Sequence, residues 1–272
     1  LKKKQIIQTL FILIIAAGII AITYMPEPAK SEPTKTPPTV FVHGYKGTYN
    51  SFGNMLERFE KHGWGNKALV YYVSQDGKIR EYNLNKGKRE PILIQVIFAN
   101  NRASFDDTSA WLASVLQHMK VTYEIDSINL VGHSMGGLVS LKYLEENHDA
   151  DLYPVTKKLV TIGSPFDGIY SDYYFTINRD AAATDLKPNS AALKLLRLNN
   201  KKISDNVSVL SIGSTGDYVA EPESVKALRM IIPDNQLMEK MIENANLGHS
   251  ELHESEHVDR LIHSFLWQEQ EE

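Results

Sequence analysis

The chain has 272 residues, enough for one large α/β domain with a small appendage, and its apolar and charged contents are ordinary for a globular protein. A formal net charge of −4, with no basic block after the first four residues, offers no footprint for nucleic acid. The absence of cysteine rules out disulfides, thiolate metal sites, a cysteine nucleophile and a lipid-modified N-terminal cysteine, and suits an oxidising exterior.

In chain order, Lys2 to Lys4 precede an apolar span from Ile6 to Tyr24 whose centre, Leu10 to Ile22, carries no polar side chain. Its length is close to the ~20 residues of a membrane-crossing helix and exceeds the ~7 to 15 of a secretory signal core. Residues 1–24 are therefore expected to be an uncleaved single-pass anchor through residues 6–24, with the lysines in the cytoplasm and the rest of the chain outside. Cleavage as a signal segment, giving a secreted protein, is the alternative. Residues 25–38 contain five prolines and read as an extended tether.

The remaining domain, residues 39–272, opens with a buried-type strand, Thr39-Val40-Phe41-Val42, followed by His43-Gly44-Tyr45. His43 reads as a core histidine that pins this loop. Phe52, Met55, Leu56 and Phe59 share a helical face over residues 51–61, with Gly63 as the stop. Strands are expected over Ala68–Val73 and Ile92–Phe98, with the polar stretch Ser74–Arg89 between them as a surface hairpin or loop. Asp107 or Thr108 is expected to cap a helix bearing Trp111, Leu112, Val115, Leu116 and Met119. Further strands fall at Lys158–Ile162 and Val207–Ile212, a helix over Glu223–Met230, and a last helix with Val258, Leu261, Ile262 and Phe265 on one face. Between the late strands, residues 168–198 lose strand character and gather Tyr170, Tyr173, Tyr174 and Phe175, as expected of a small cap insertion over a site or of aromatics that pack such a cap onto the body. The alternation predicts an α/β fold with a mostly parallel sheet and helices on both faces. There is no internal repeat.

The stretch Ile128 to Leu141 organises the chain, because its apolar run breaks at Gly132-His133-Ser134-Met135-Gly136 and becomes a helix. Gly-x-Ser-x-Gly between strand and helix is the pattern of a nucleophile elbow, in which the serine sits on a strained turn and its glycine neighbours come too close to carry side chains. A helix N-terminus aims free backbone N–H groups at charge developing beside the serine oxygen, which makes Met135 a candidate oxyanion donor.

A serine hydroxyl needs a base in reach, and the base needs a carboxylate to fix its tautomer. Downstream of Ser134 stand Asp217, after the late strand, and His249, in the loop before the last helix; Asp167 and Glu221 are reserve acids. With Val42-His43-Gly44, Ser51-Phe52, Gly63-Trp64, the elbow, Gly216-Asp217 and Gly248-His249, this chain resembles the α/β-hydrolases from Val40 onward, and among them the small bacterial lipases and esterases and the membrane-anchored cell-surface hydrolases of unassigned function. The resemblance implies an α/β-hydrolase fold and a Ser134–Asp217–His249 triad. It also implies a first oxyanion donor at the Tyr45 N–H, a small-molecule or lipid ester substrate, a covalent acyl-enzyme and no cofactor. The anchor, the 74–89 stretch and the cap depart from that pattern, and neither the natural substrate nor the oligomeric state can be read.

Two other readings remain at this stage. His253-Glu254-Ser255-Glu256-His257 spells the His-Glu-x-x-His zinc-peptidase motif, with His263 at a third-ligand spacing, although Arg260 replaces the glycine that longer pattern needs. Ser255 as a helix cap would place His253 ahead of the helix. The other reading is a catalytically silent module that binds a cell-envelope component.

Overall fold

The computed structural model describes residues 36–84, 90–147, 151–199 and 203–268. The apolar span 6–24 and all but the last three residues of the proline tether lie outside them. No helix among the described residues is long and apolar enough to cross a membrane.

Eight strands form one sheet: β1 (Thr39–Val42), β2 (Asn66–Val73), β3 (Ile79–Asn83), β4 (Ile92–Phe98), β5 (Ser127–His133), β6 (Val155–Ile162), β7 (Ser208–Ser214) and β8 (Leu237–Ile242). Their order is β3-β2-β4-β1-β5-β6-β7-β8. β3 runs antiparallel to β2, and every other pairing is parallel. The expected hairpin in the 74–89 stretch is thus real as far as Leu84; residues 85–89 lie outside the description.

Side chains alternate across the sheet with the two-residue period of a strand, so each face meets a different set of helices. Val40, Val42, Ile94, Val96 and Leu130 pack with α2 (Phe105–Tyr123) and α3 (Met135–Glu146). Phe41, Leu93, Val131, Val160 and Ile162 face the other way, toward α1 (Asn50–His62) and α8 (Glu256–Trp267). Phe52, Met55, Leu56 and Phe59 are the buried stripe of α1, and Gly63 closes it at φ 73°. At about 25 cal/mol per Å² of apolar area, these two buried layers are the main drive to fold.

Several boundaries differ from expectation. The cap of α2 is Ser104, whose Oγ accepts from the Asp107 N–H at 3.1 Å, so Asp107 already lies inside the first turn. The helix expected over 223–230 is a short α7 (Pro222–Lys226) that tightens into a 3₁₀ turn, Ala227–Met230. Strand β8 had no counterpart in the sequence reading. Between β6 and β7 the chain forms three short helices, α4 (Asp172–Ile177), α5 (Ala181–Asp185) and α6 (Ala191–Leu198). Ala182, Ala183, Leu186, Leu193 and Leu196 of this insertion are buried, while Tyr173 is 72% exposed, so the aromatic cluster divides between packing and surface.

Pro38 and the last turn of α8 both meet central strands away from the ends that carry Ser134 and Asp217. The Pro38 carbonyl accepts from the Asn129 N–H at the start of β5, and the Lys158 Nζ of β6 donates to the Phe265 and Leu266 carbonyls in the last turn of α8.

Candidate active site

Ser134 stands between β5 and α3 with φ 56° and ψ −128°, a conformation that costs an L-residue on the order of 1–3 kcal/mol and persists only where the surroundings over-determine it. The surroundings do so through backbone. A Cβ on Gly136 would come 2.1 Å from the Val42 carbonyl oxygen, and one on Gly132 would come 2.4 Å from the Gly137 nitrogen. Both elbow glycines are therefore required by close approach.

The parallel register brings the ends of β5, β6 and β7 together, and the three expected residues meet there. Ser134 Oγ lies 2.8 Å from His249 Nε2, and His249 Nδ1 lies 2.8 Å from Asp217 Oδ2. Asp217 is fully buried, and its Oδ1 accepts the Val219 and Ala220 N–H groups at 2.9 and 2.8 Å. With that carboxylate as acceptor, His249 carries its proton on Nδ1, and Nε2 is left to accept from the serine hydroxyl. Gly163, at φ 54°, makes room for this pair, since a Cβ there would come 3.0 Å from Asp217 Oδ2.

Neither reserve acid is the partner of His249. Asp167 is ion-paired with Arg197 and accepts from the Tyr170 hydroxyl at 2.8 Å, and Glu221 stands at the N-cap position of α7, whereas His249 Nδ1 is bonded to Asp217. His253 lies in the 3₁₀ turn Glu251–Glu254, ahead of α8, whereas the exposed His257 lies within it. The His-Glu-x-x-His residues therefore do not share the one helical face that a zinc site needs, and among the described residues no three His, Cys, Asp or Glu side chains are grouped to hold a metal.

The loop after β1 packs directly on the elbow, where a Cβ on Gly44 would come 2.7 Å from the Ser134 Cβ and 3.2 Å from the Met135 nitrogen. The Met135 N–H opens α3, where a helix has no internal acceptor to offer it. Beside it, the Lys46 and Gly47 N–H groups are already bonded, to the Asn101 and Gly44 carbonyls. His43 pins the loop as expected: its Nε2 accepts the Phe98 N–H at 3.0 Å, so its Nδ1 donates to the Gly44 carbonyl at 2.9 Å. Burial lowers this histidine to about 4.

His133 and Asp180 also touch the site residues, and the sequence reading singled out neither. The buried His133 ring donates from Nε2 to the His249 carbonyl at 3.0 Å and packs against the His249 and His253 rings. Burial first, and then the neighbouring His249 and His253, depress its pKa well below the ordinary value. The one sequence signal for His133 was its place inside the elbow.

The eight-stranded, mostly parallel sheet and the strand–turn–helix around Ser134 define an α/β hydrolase. The chain belongs to the family of α/β hydrolases of unknown function DUF915, whose model matches residues 26–269. Among solved structures, the lin2722 gene product from Listeria innocua aligns with a TM-score of 0.74 at 23% identity, covering 87% of this chain and 96% of its own. A Lactobacillus plantarum WCFS1 protein provisionally named a cell surface hydrolase aligns at 0.68 and 22%, covering 88% and 94%. The Bacillus licheniformis lipase BlEst2 aligns at 0.51 and 19%, covering 89% and 94%. At these identities the likeness is one of fold. No protein of curated function matches the chain.

Proposed function

We propose that this chain is a serine esterase that cleaves carboxylic ester bonds through Ser134, His249 and Asp217, held on the outer face of the cell membrane by residues 6–24. The observation that carries the reading is the continuous hydrogen-bonded line from Ser134 Oγ through the imidazole to a buried carboxylate. Membrane retention is supported by the three lysines ahead of the apolar span and by the name of the Lactobacillus relative.

In this mechanism Ser134 Oγ attacks the ester carbonyl carbon as its proton passes to His249 Nε2. Asp217 holds the imidazole in the accepting tautomer and stabilises the imidazolium that forms. The negative oxygen of the tetrahedral intermediate is received by the Tyr45 and Met135 N–H groups; a donor of this kind is worth about 10²- to 10³-fold in rate. His249 returns the proton to the departing alcohol, leaving an acyl group on Ser134. Water then attacks the acyl carbon as its proton passes to His249, and His249 returns that proton to Ser134 Oγ as the bond to the serine breaks and the carboxylic acid leaves.

Turnover of a short-chain p-nitrophenyl ester, with fluorophosphonate labelling alongside, tests the reading. The wild type should hydrolyse the ester and take the label on Ser134, and Ser134→Ala should do neither while remaining folded. An inert wild type would make the chain a binding module, and undiminished labelling of Ser134→Ala would move the nucleophile elsewhere.

A further inference from the structure

The loop that carries Tyr45 is fastened to two other segments, and those two are fastened to each other. On one side the Lys46 N–H donates to the Asn101 carbonyl at 2.8 Å, and Asn101 Nδ2 donates to the Gly47 carbonyl at 2.8 Å. On the other side the Tyr45 hydroxyl donates to Asp180 Oδ2 at 2.7 Å, with Asn178 Oδ1 a longer second acceptor at 3.1 Å, and the Lys46 ammonium donates to Asn178 Oδ1. Asn178 is buried, and its Nδ2 donates to the Tyr174 carbonyl at 2.8 Å, which turns its oxygen toward the loop. Arg102 closes the triangle: its guanidinium donates to Asp180 Oδ2 at 3.1 Å, while its carbonyl accepts the Ala182 N–H at 3.2 Å.

Such closure has a use here. Lys46 sits at φ 58°, a left-handed conformation in which a non-glycine residue is strained, directly after the residue whose N–H must face the reacting oxygen. The Tyr45 N–H lies one peptide before that strain, in the Gly44–Tyr45 peptide, whose carbonyl accepts from His43 Nδ1 and from the Gly47 N–H, so the Tyr45 side chain anchors the far side of a residue held at both ends. Asp180 is the node of that arrangement, since Oδ2 receives Tyr45 and Arg102 while Oδ1 caps α5 through the Ala183 N–H at 3.1 Å. Burial alone would raise this carboxyl, but the bonds from Tyr45, Ala183 and Arg102 outweigh it and hold the group below the ordinary carboxylate value. Burial and Asp180 together raise the Tyr45 phenol, which keeps its donating proton.

We propose that Asp180 is a positioning residue of the oxyanion hole: while His43 and Gly47 hold the Gly44 carbonyl, Asp180 holds Tyr45 through its hydroxyl, so that the two together set the direction of the Tyr45 N–H and the β6–β7 insertion is a fixed part of the catalytic machinery and not a lid that lifts away. The inference rests on the esterase reading, because it presupposes that Tyr45 faces a developing oxyanion.

The test compares Tyr45→Phe, Asp180→Ala, their double mutant and Ser134→Ala, each checked by thermal melting, with p-nitrophenyl acetate as substrate and a trifluoromethyl ketone as transition-state mimic. Tyr45→Phe removes only the hydroxyl and leaves the Asp180 cap on α5 intact, so it reports the bond even if Asp180→Ala unfolds. Loss of direction in one donor should lower kcat by about 10- to 100-fold with KM within about twofold. The trifluoromethyl ketone should weaken by the same factor as kcat/KM, and the double mutant should be no worse than the poorer single one. A purely structural role would shift melting and leave the mimic's affinity untouched. If Ser134→Ala is inactive while Tyr45→Phe keeps wild-type kcat or wild-type affinity for the mimic, Asp180 has no positioning role and the esterase reading stands. If Ser134→Ala keeps wild-type turnover, the esterase reading itself falls.

Discussion

Asp217 and Asp167 stand beyond the ends of adjacent strands, and their partners separate their roles. Asp217 gives Oδ2 to His249 and Oδ1 to two backbone N–H groups, whereas Asp167 is engaged by Arg197 and Tyr170. Replacing Asp217 by Asn puts an amide against Nδ1 and favours the wrong imidazole tautomer, so kcat should fall by about 10⁴-fold. Asp167→Asn should cost far less, and p-nitrophenyl ester turnover of the two variants in parallel decides between them. The reverse ranking would put the working acid at the end of β6. Ser134 was legible in the sequence because everything the elbow needs lies within five residues: two close-approach glycines, a strand before and a helix after. Asp217 and His249 were legible only as an order along the chain, since their meeting depends on strand register. The bond from Tyr45 to Asp180 spans 135 residues, and no local pattern marks either partner. The His-Glu-x-x-His motif could be discounted from the sequence too, because Ser255 read as a helix cap places His253 ahead of the helix, as it lies. Its spacing is correct, but the chain becomes helical only at Glu256, after the first histidine has passed.

Helix α2 shows how an element's end is decided by one side chain. Ser104 accepts from the Asp107 N–H and donates to Asp107 Oδ2 at 2.8 Å, so Asp107 closes the turn that Ser104 begins. Reading Asp107 as the cap mistook the second half of this exchange for the first. Ser104→Ala should lower unfolding free energy by about 1 kcal/mol in urea titration while leaving kcat unchanged. An unaltered midpoint would mean that the helix does not depend on this cap. The central strands were legible because both their faces are covered, which leaves continuous apolar runs such as Val40 to Val42. The edge strands were less so: β3 was read only as part of a hairpin or loop, and β8 was missed. β8, Leu237-Met-Glu-Lys-Met-Ile, is at most half-buried along its length, and β3 pairs on one side only, so neither had to be strongly apolar.

At the scale of the whole molecule, the buried histidines set how the fold meets acid. His43 and His133 are held neutral mainly by burial, and His253 is lowered from its ordinary value, also mainly by burial. Unfolding exposes these rings and lets them take protons near 6.5, so the unfolded state binds more protons and stability falls as pH drops below that value. For His43 alone, with a folded value of about 4, the loss develops between about pH 6.5 and 4 and reaches about 3 kcal/mol. Asp185 and Asp259, raised by burial from 3.8, act with the opposite sign from that value upward. The urea midpoint should therefore drop between pH 7 and 5.5, where the histidine window opens first; a flat midpoint would show that the rings gain protons inside the fold. The sheet has a further consequence, and it follows from where the described chain enters and leaves. Pro38 meets the start of β5 and Leu266 meets β6 near its beginning, whereas Ser134, Asp217 and His249 crowd the opposite ends of the same strands. A bead, carrier protein or surface coupled near Pro38 or Leu266 stands several residues of strand away from the serine. Such a graft leaves the mouth open to solution.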